Sequence, residues 1–86
     1  TNPAIRQACD ASIREHAARV EADIALAMEA RGMKGEFTAK SLALHTQAVL
    51  QGAFILAKAE NGTKTAKECI GHLRRYIELL FTEPKP

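Results

Sequence analysis

The sequence has no tryptophan, one tyrosine and three phenylalanines, so a core made from it contains few large rings and must be filled by aliphatic side chains. Two cysteines, Cys9 and Cys69, are too few for the disulfide framework of a small secreted scaffold. Both fall at helical core spacing, where a free cysteine acts as a small buried hydrophobe. Long apolar runs are missing as well. The longest uninterrupted stretch, Gly52 to Ala57, falls far short of the roughly 18 residues of a membrane span, and no basic-then-apolar leader opens the chain. A surplus of one charge is also lacking: 12 Lys and Arg are interspersed with 10 Asp and Glu, for a net charge of +2, which gives no basic footprint for nucleic acid. No membrane partner is expected, and a cytoplasmic location is the default. The chain opens Thr1-Asn2-Pro3 without an initiator Met, as a processed or truncated product of a longer chain would.

What the sequence does hold is helical periodicity. Ile5, Cys9, Ile13, Ala17, Val20, Ile24, Ala27 and Met28 follow in steps of three and four, the stripe of one long helix over about residues 3–30. Asn2 before Pro3 is a cap followed by a favoured first-turn proline, and Arg31-Gly32 offers a basic last turn and a residue that accepts left-handed dihedrals. The opposite face pairs opposite charges four apart at 6/10, 10/14, 15/19 and 19/23, a solvated face with weak ion-pair support. A turn with two glycines leads to Thr38, a cap for a second helix over about 39–60 that ends at Asn61-Gly62. Thr65-Ala66-Lys67-Glu68 reads as a capping box opening a third helix over about 66–82, with Pro84 and Pro86 excluding further helix. The chain is thus a single all-α domain, residues 1–86, whose short connections make the three helices antiparallel neighbours.

Helix two is apolar nearly all round. Leu42, His45, Val49, Gly52, Ala53 and Leu56 form one stripe, Leu44, Ala48, Phe54 and Ile55 another, and such a helix must be enclosed on more sides than two neighbours can cover. At 1.5 Å per residue helix one is about 42 Å long against about 25 Å for helix three, so it overhangs. A domain of this size buries only about 60–65% of its unfolded surface. Small residues at Ala48, Gly52, Ala53 and Gly71 point to close helix approach, because a glycine inside a helix costs up to about 1 kcal/mol against alanine. A second subunit meets all these needs, and pairing the last two helices with their copies gives a four-helix bundle.

Nothing in the sequence assembles a catalyst. Cys69-x-x-His72 and the pair Cys9 and His16 do not reach the four ligands of a structural zinc, no Glu-x-x-His pattern occurs, and Gly32-Met33-Lys34-Gly35 lacks the strand that precedes a phosphate loop. The acidic residues sit mainly on charged faces, not in paired environments that would push two carboxyls apart. No enzyme, cofactor or metal is expected. His72 projects from the apolar stripe toward solvent, and Lys67, Arg74 and Arg75 read as a solvated face or a salt-bridged interface rim.

Gln47-Ala48-Val49-Leu50-Gln51-Gly52-Ala53-Phe54-Ile55-Leu56-Ala57-Lys58-Ala59, then a polar turn, then Ile70-Gly71-His72-Leu73-Arg74-Arg75-Tyr76-Ile77-Glu78-Leu79-Leu80-Phe81 resembles the last two helices of TetR-family transcription regulators. The helix containing Val20-Glu21-Ala22-Asp23-Ile24-Ala25, the Gly-rich turn and Ser41-Leu42-Ala43 resemble the preceding helix and connector, so the likeness runs from about Ile5 to Phe81. The resemblance implies the C-terminal effector-binding and dimerisation domain of a repressor: a homodimer that senses a small molecule of unknown identity and meets operator DNA only through an N-terminal helix-turn-helix domain not contained in these residues. Dimer contacts are expected from Ala48, Gln51, Gly52, Phe54 and Ile55 of helix two and from Ile70, Leu73, Tyr76, Ile77 and Leu80 of helix three. His16, His45 and Gln47 interrupt apolar surroundings as effector-pocket or seam residues, or else as rim residues or satisfied core groups. From a different class, a stand-alone helical module that receives another protein's helix also suits the exposed apolar face.

Overall fold

The computed structural model describes residues 2–33, 35 and 37–82, and Thr1, Lys34, Glu36 and the segment holding Pro84 and Pro86 lie outside them. The described residues form three helices and no strand: α1 (Pro3–Ala30), α2 (Ala39–Glu60) and α3 (Lys64–Phe81). The chain divides into two compact units, residues 1–47 and 48–86, with the boundary inside α2. Each is described separately.

In the first unit, α1 starts where Asn2, extended at φ −71° and ψ 120°, accepts the Ala4 N–H on its side chain at 2.8 Å. Pro3 occupies the first helical position, where a missing N–H costs nothing. The helix stops at Gly32, which adopts φ +61°. There the Met33 N–H donates to the Met28 carbonyl at 2.9 Å and the Gly32 N–H to the Glu29 carbonyl at 3.1 Å, the paired bonds of a Schellman motif. Thr38 caps α2 by accepting the Ser41 N–H on its hydroxyl at 3.0 Å. Buried here are Ala17, Leu42, Ala43 and Gln47. Of the charge pairs along α1, Asp10 and Arg14 close at 3.0 Å, and both are well exposed.

The Cys9 expectation needs correcting. Every described residue from Asn2 to Ser12 is exposed, Cys9 included, and Ile5 is 61% exposed. The apolar stripe of α1 begins to be covered only at Ile13 and Ala17, because no described residue buries the first three turns of this helix, whatever their periodicity.

In the second unit, α2 ends at Asn61 with φ +53°. The Gly62 N–H donates to the Ala57 carbonyl at 3.0 Å and the Asn61 N–H to the Lys58 carbonyl at 3.3 Å, a second Schellman motif with asparagine in the left-handed position. The expected capping box at Thr65 does not form. The chain is helical from Lys64 onward, Thr63 is the N-cap without a side-chain cap bond, and its carbonyl accepts the Lys67 N–H at 2.9 Å. Thr65 therefore lies inside the helix, where its backbone cannot adopt the extended dihedrals of a cap. At the other end the Thr82 hydroxyl donates to the Glu78 carbonyl at 2.6 Å. Ala53, Ala66 and Leu73 are buried in this unit.

Candidate functional site

The described core consists of alanines with two leucines, and no large side chain is fully enclosed. Larger apolar groups are instead left outside. On α2, Phe54 is 62% and Ile55 68% exposed; on α3, Leu79 reaches 74%, and Ile70 and Tyr76 are also exposed. Of the ten residues expected at a dimer contact, Ala48, Gln51, Phe54, Ile55, Ile70 and Tyr76 are exposed, Gly52, Ile77 and Leu80 are half-buried, and Leu73 is buried in the chain. Leu79, the most exposed of the large apolar residues, was missed because it lies off the main stripe of α3. Its size in a helix otherwise charged on that side was the available signal.

Glycine placement bears on the same surface. A Cβ built at Gly52 or Gly71 meets no atom within 4 Å, so the close approach inferred from these glycines is not made within the chain. Both positions are half-buried helix interior with open space above them.

The polar candidates fall in the first unit. Gln47 is 5% exposed, the one polar side chain among the buried described residues. Its Nε2 amide donates to Nδ1 of His16, joining α1 to the first turns of α2 across 31 positions of sequence. His16 and His45 are both exposed, and the structure joins two of the three expected residues, His16 and Gln47, in one hydrogen bond. A buried amide must be paired or it loses its hydration without return, and His16 supplies the partner. Thr46 is satisfied locally, donating to the Leu42 carbonyl at 3.0 Å.

On α3, Lys67, Glu68, Gly71, His72 and Arg75 border a shallow depression over Gly71. The Arg75 guanidinium donates to Nδ1 of exposed His72 at 2.6 Å. All five residues belong to one helix, so the depression is open surface between side chains. Both cysteines are free, Cys69 half-buried on α3. Among the described residues no group of three or more His, Cys, Asp or Glu is placed to hold a metal ion, and no helix is long and apolar enough to cross a membrane.

Comparison with known protein families, with characterised proteins and with solved structures gives no match.

Proposed function

We propose that this chain is the regulatory and dimerisation domain of a TetR-like transcriptional repressor, a binding module with no catalytic role. The observation that carries the reading is the set of large apolar side chains that α2 and α3 leave exposed, Phe54, Ile55, Ile70, Tyr76 and Leu79. Large apolar side chains left exposed are candidates for a partner contact, and these residues lie in the two helices whose wording resembles the dimerising helices of that family. The proposed partner is a second copy, with operator DNA contacted through a helix-turn-helix domain outside these 86 residues.

The proposed sensor is the polar group of the first unit. His16 and Gln47, already hydrogen-bonded to each other, offer a donor and an acceptor beside buried Ala17, Leu42 and Ala43 of the same unit, a polar pair in apolar surroundings as in a small-molecule site. Exposed His45, two residues before Gln47 and so about 200° round α2, is proposed as a further contact at the rim. A ligand acts on the attached DNA-binding heads only if it binds the DNA-incompetent arrangement more tightly than the competent one.

Sedimentation equilibrium tests the first half of this proposal: a dimer at micromolar concentration is expected, and a concentration-independent monomer would overturn it. The same exposed side chains suit the second reading, a module that receives a helix of a different protein, and a monomer that nonetheless binds an amphipathic helix would favour it.

A further inference from the structure

The chain has two asparagines, Asn2 and Asn61, and only Asn61 is followed by a nitrogen able to attack its side chain. An asparagine amide is lost when the backbone nitrogen of the next residue closes a five-membered ring on Cγ, so that residue must carry an N–H and little bulk. Pro3 after Asn2 has no N–H. Gly62 after Asn61 has an N–H and no Cβ, and Asn61, Gly62 and Thr63 are all exposed. The fold acts on this pair at two points, both within the second unit. Asn61 has φ +53°, and in the left-handed conformation the following nitrogen lies on the far side of the Cα–C bond from Cβ, whereas ring closure requires the two to be nearly eclipsed. The Gly62 N–H is also donated to the Ala57 carbonyl at 3.0 Å, so the nitrogen keeps its proton while the Schellman turn is closed. Both restraints end when the last turn of α2 opens.

We propose that Asn61-Gly62 is a self-modifying site and that the C-terminal turn of α2 holds its reaction off. On opening, the Gly62 nitrogen gives its proton to water or hydroxide and bonds to Asn61 Cγ, and the side-chain nitrogen leaves as ammonia. Water then opens the succinimide at either carbonyl, leaving aspartate or isoaspartate at position 61. One water is consumed and one ammonia released, with no change of oxidation state. The product closes the turn less well than asparagine does. A carboxylate now stands at the negative end of α2, and isoaspartate adds a methylene to the backbone within the span closed by the bond from Gly62 to Ala57. Each modification thus loosens the cap that delayed it, and none of this depends on the dimer reading.

The test incubates the full chain at mildly alkaline pH and body temperature, in buffer and in enough guanidinium chloride to unfold it. Mass spectrometry reads the gain from replacing NH₂ by OH, and peptide mapping locates it. Asn61 is expected to convert in both, roughly tenfold or more slowly in buffer, because the turn closes fast against the chemistry and the rate follows the open fraction. Asn2 is expected to stay unchanged in either. Equal rates would overturn the restraint by the turn, and no conversion in denaturant would overturn the site itself. Gly62→Ala is a second probe: a Cβ there meets only the Glu60 carbonyl at 4.0 Å, so the turn still forms. The added methyl hinders attack, and conversion in denaturant is expected to fall roughly tenfold; an unchanged rate would exclude the Gly62 nitrogen as the nucleophile. Asn61→Asp supplies the charge without the chemistry and is expected to lower the thermal midpoint by a few degrees. An unchanged or raised midpoint would remove the effect claimed for the product on the cap.

Discussion

Gln47 and His16 show how one polar pair is held in a core made of alanines. Truncating Gln47 to Ala removes both packing and the bond to His16, and urea unfolding should register a loss of about 1–2 kcal/mol. His16→Ala strands the buried amide and is expected to cost a similar amount, while Gln47→Leu, which replaces the amide by an apolar group of similar size, should be near neutral. A cost for Gln47→Leu as large as that for Gln47→Ala would show that the hydrogen bond, not the volume, sustains this position. Gly71 makes the opposite case. With open space over it and no positive φ, Gly71→Ala should stabilise the monomeric chain by about 0.5–1 kcal/mol through helix propensity alone. At this scale the sequence was only partly legible. That Gln47 and His16 interrupt apolar surroundings could be seen from their neighbours, but their pairing depends on the rotation of α1 and α2 about their own axes, which no local pattern specifies.

Helices are where local chemistry speaks most clearly, because caps act within four residues. Asn2, Thr38, Gly32 and Asn61 all occupy the terminal roles that their dihedral preferences and side-chain acceptors suit. Thr38→Ala should therefore destabilise α2 by about 1 kcal/mol, and Asn61→Gly, which relieves a left-handed non-glycine residue, should stabilise by a few tenths to about 1 kcal/mol. The start of α3 was read two residues late because Thr65 and Glu68 have the spacing of a capping box. The Schellman turn at Asn61-Gly62 leaves only Thr63 to initiate the next helix, and geometry set by the preceding element outweighed a motif read in isolation. Because Thr63 makes no side-chain cap bond, Thr63→Asp is expected to raise the thermal midpoint by a few degrees. A lowered midpoint would mean that this turn cannot rotate to place a carboxylate over the helix end.

For the whole molecule, a dimer of the kind proposed would cover apolar side chains that are exposed in the single chain, such as Phe54 and Ile55, and association should then contribute much of the stability. The thermal midpoint is then expected to rise by roughly 3–5 °C for each tenfold increase in chain concentration, and a midpoint independent of concentration would argue against an obligate dimer. The all-helical class and the surplus of apolar surface on α2 could be read from periodicity, since a helix hydrophobic on several faces cannot be enclosed by two neighbours. Which side chains would be left over could not, because that depends on how the neighbours are placed. The bare first turns of α1 have a consequence in time as well as in energy. From Asn2 to Ser12 the helix is held by its cap and its own backbone ladder, without tertiary cover. A segment that short is marginal alone in water, so its amides should exchange with solvent hydrogen far faster than those around Ala17, and limited proteolysis should nick the chain there first, in a stretch that opens and recloses while the rest stays folded.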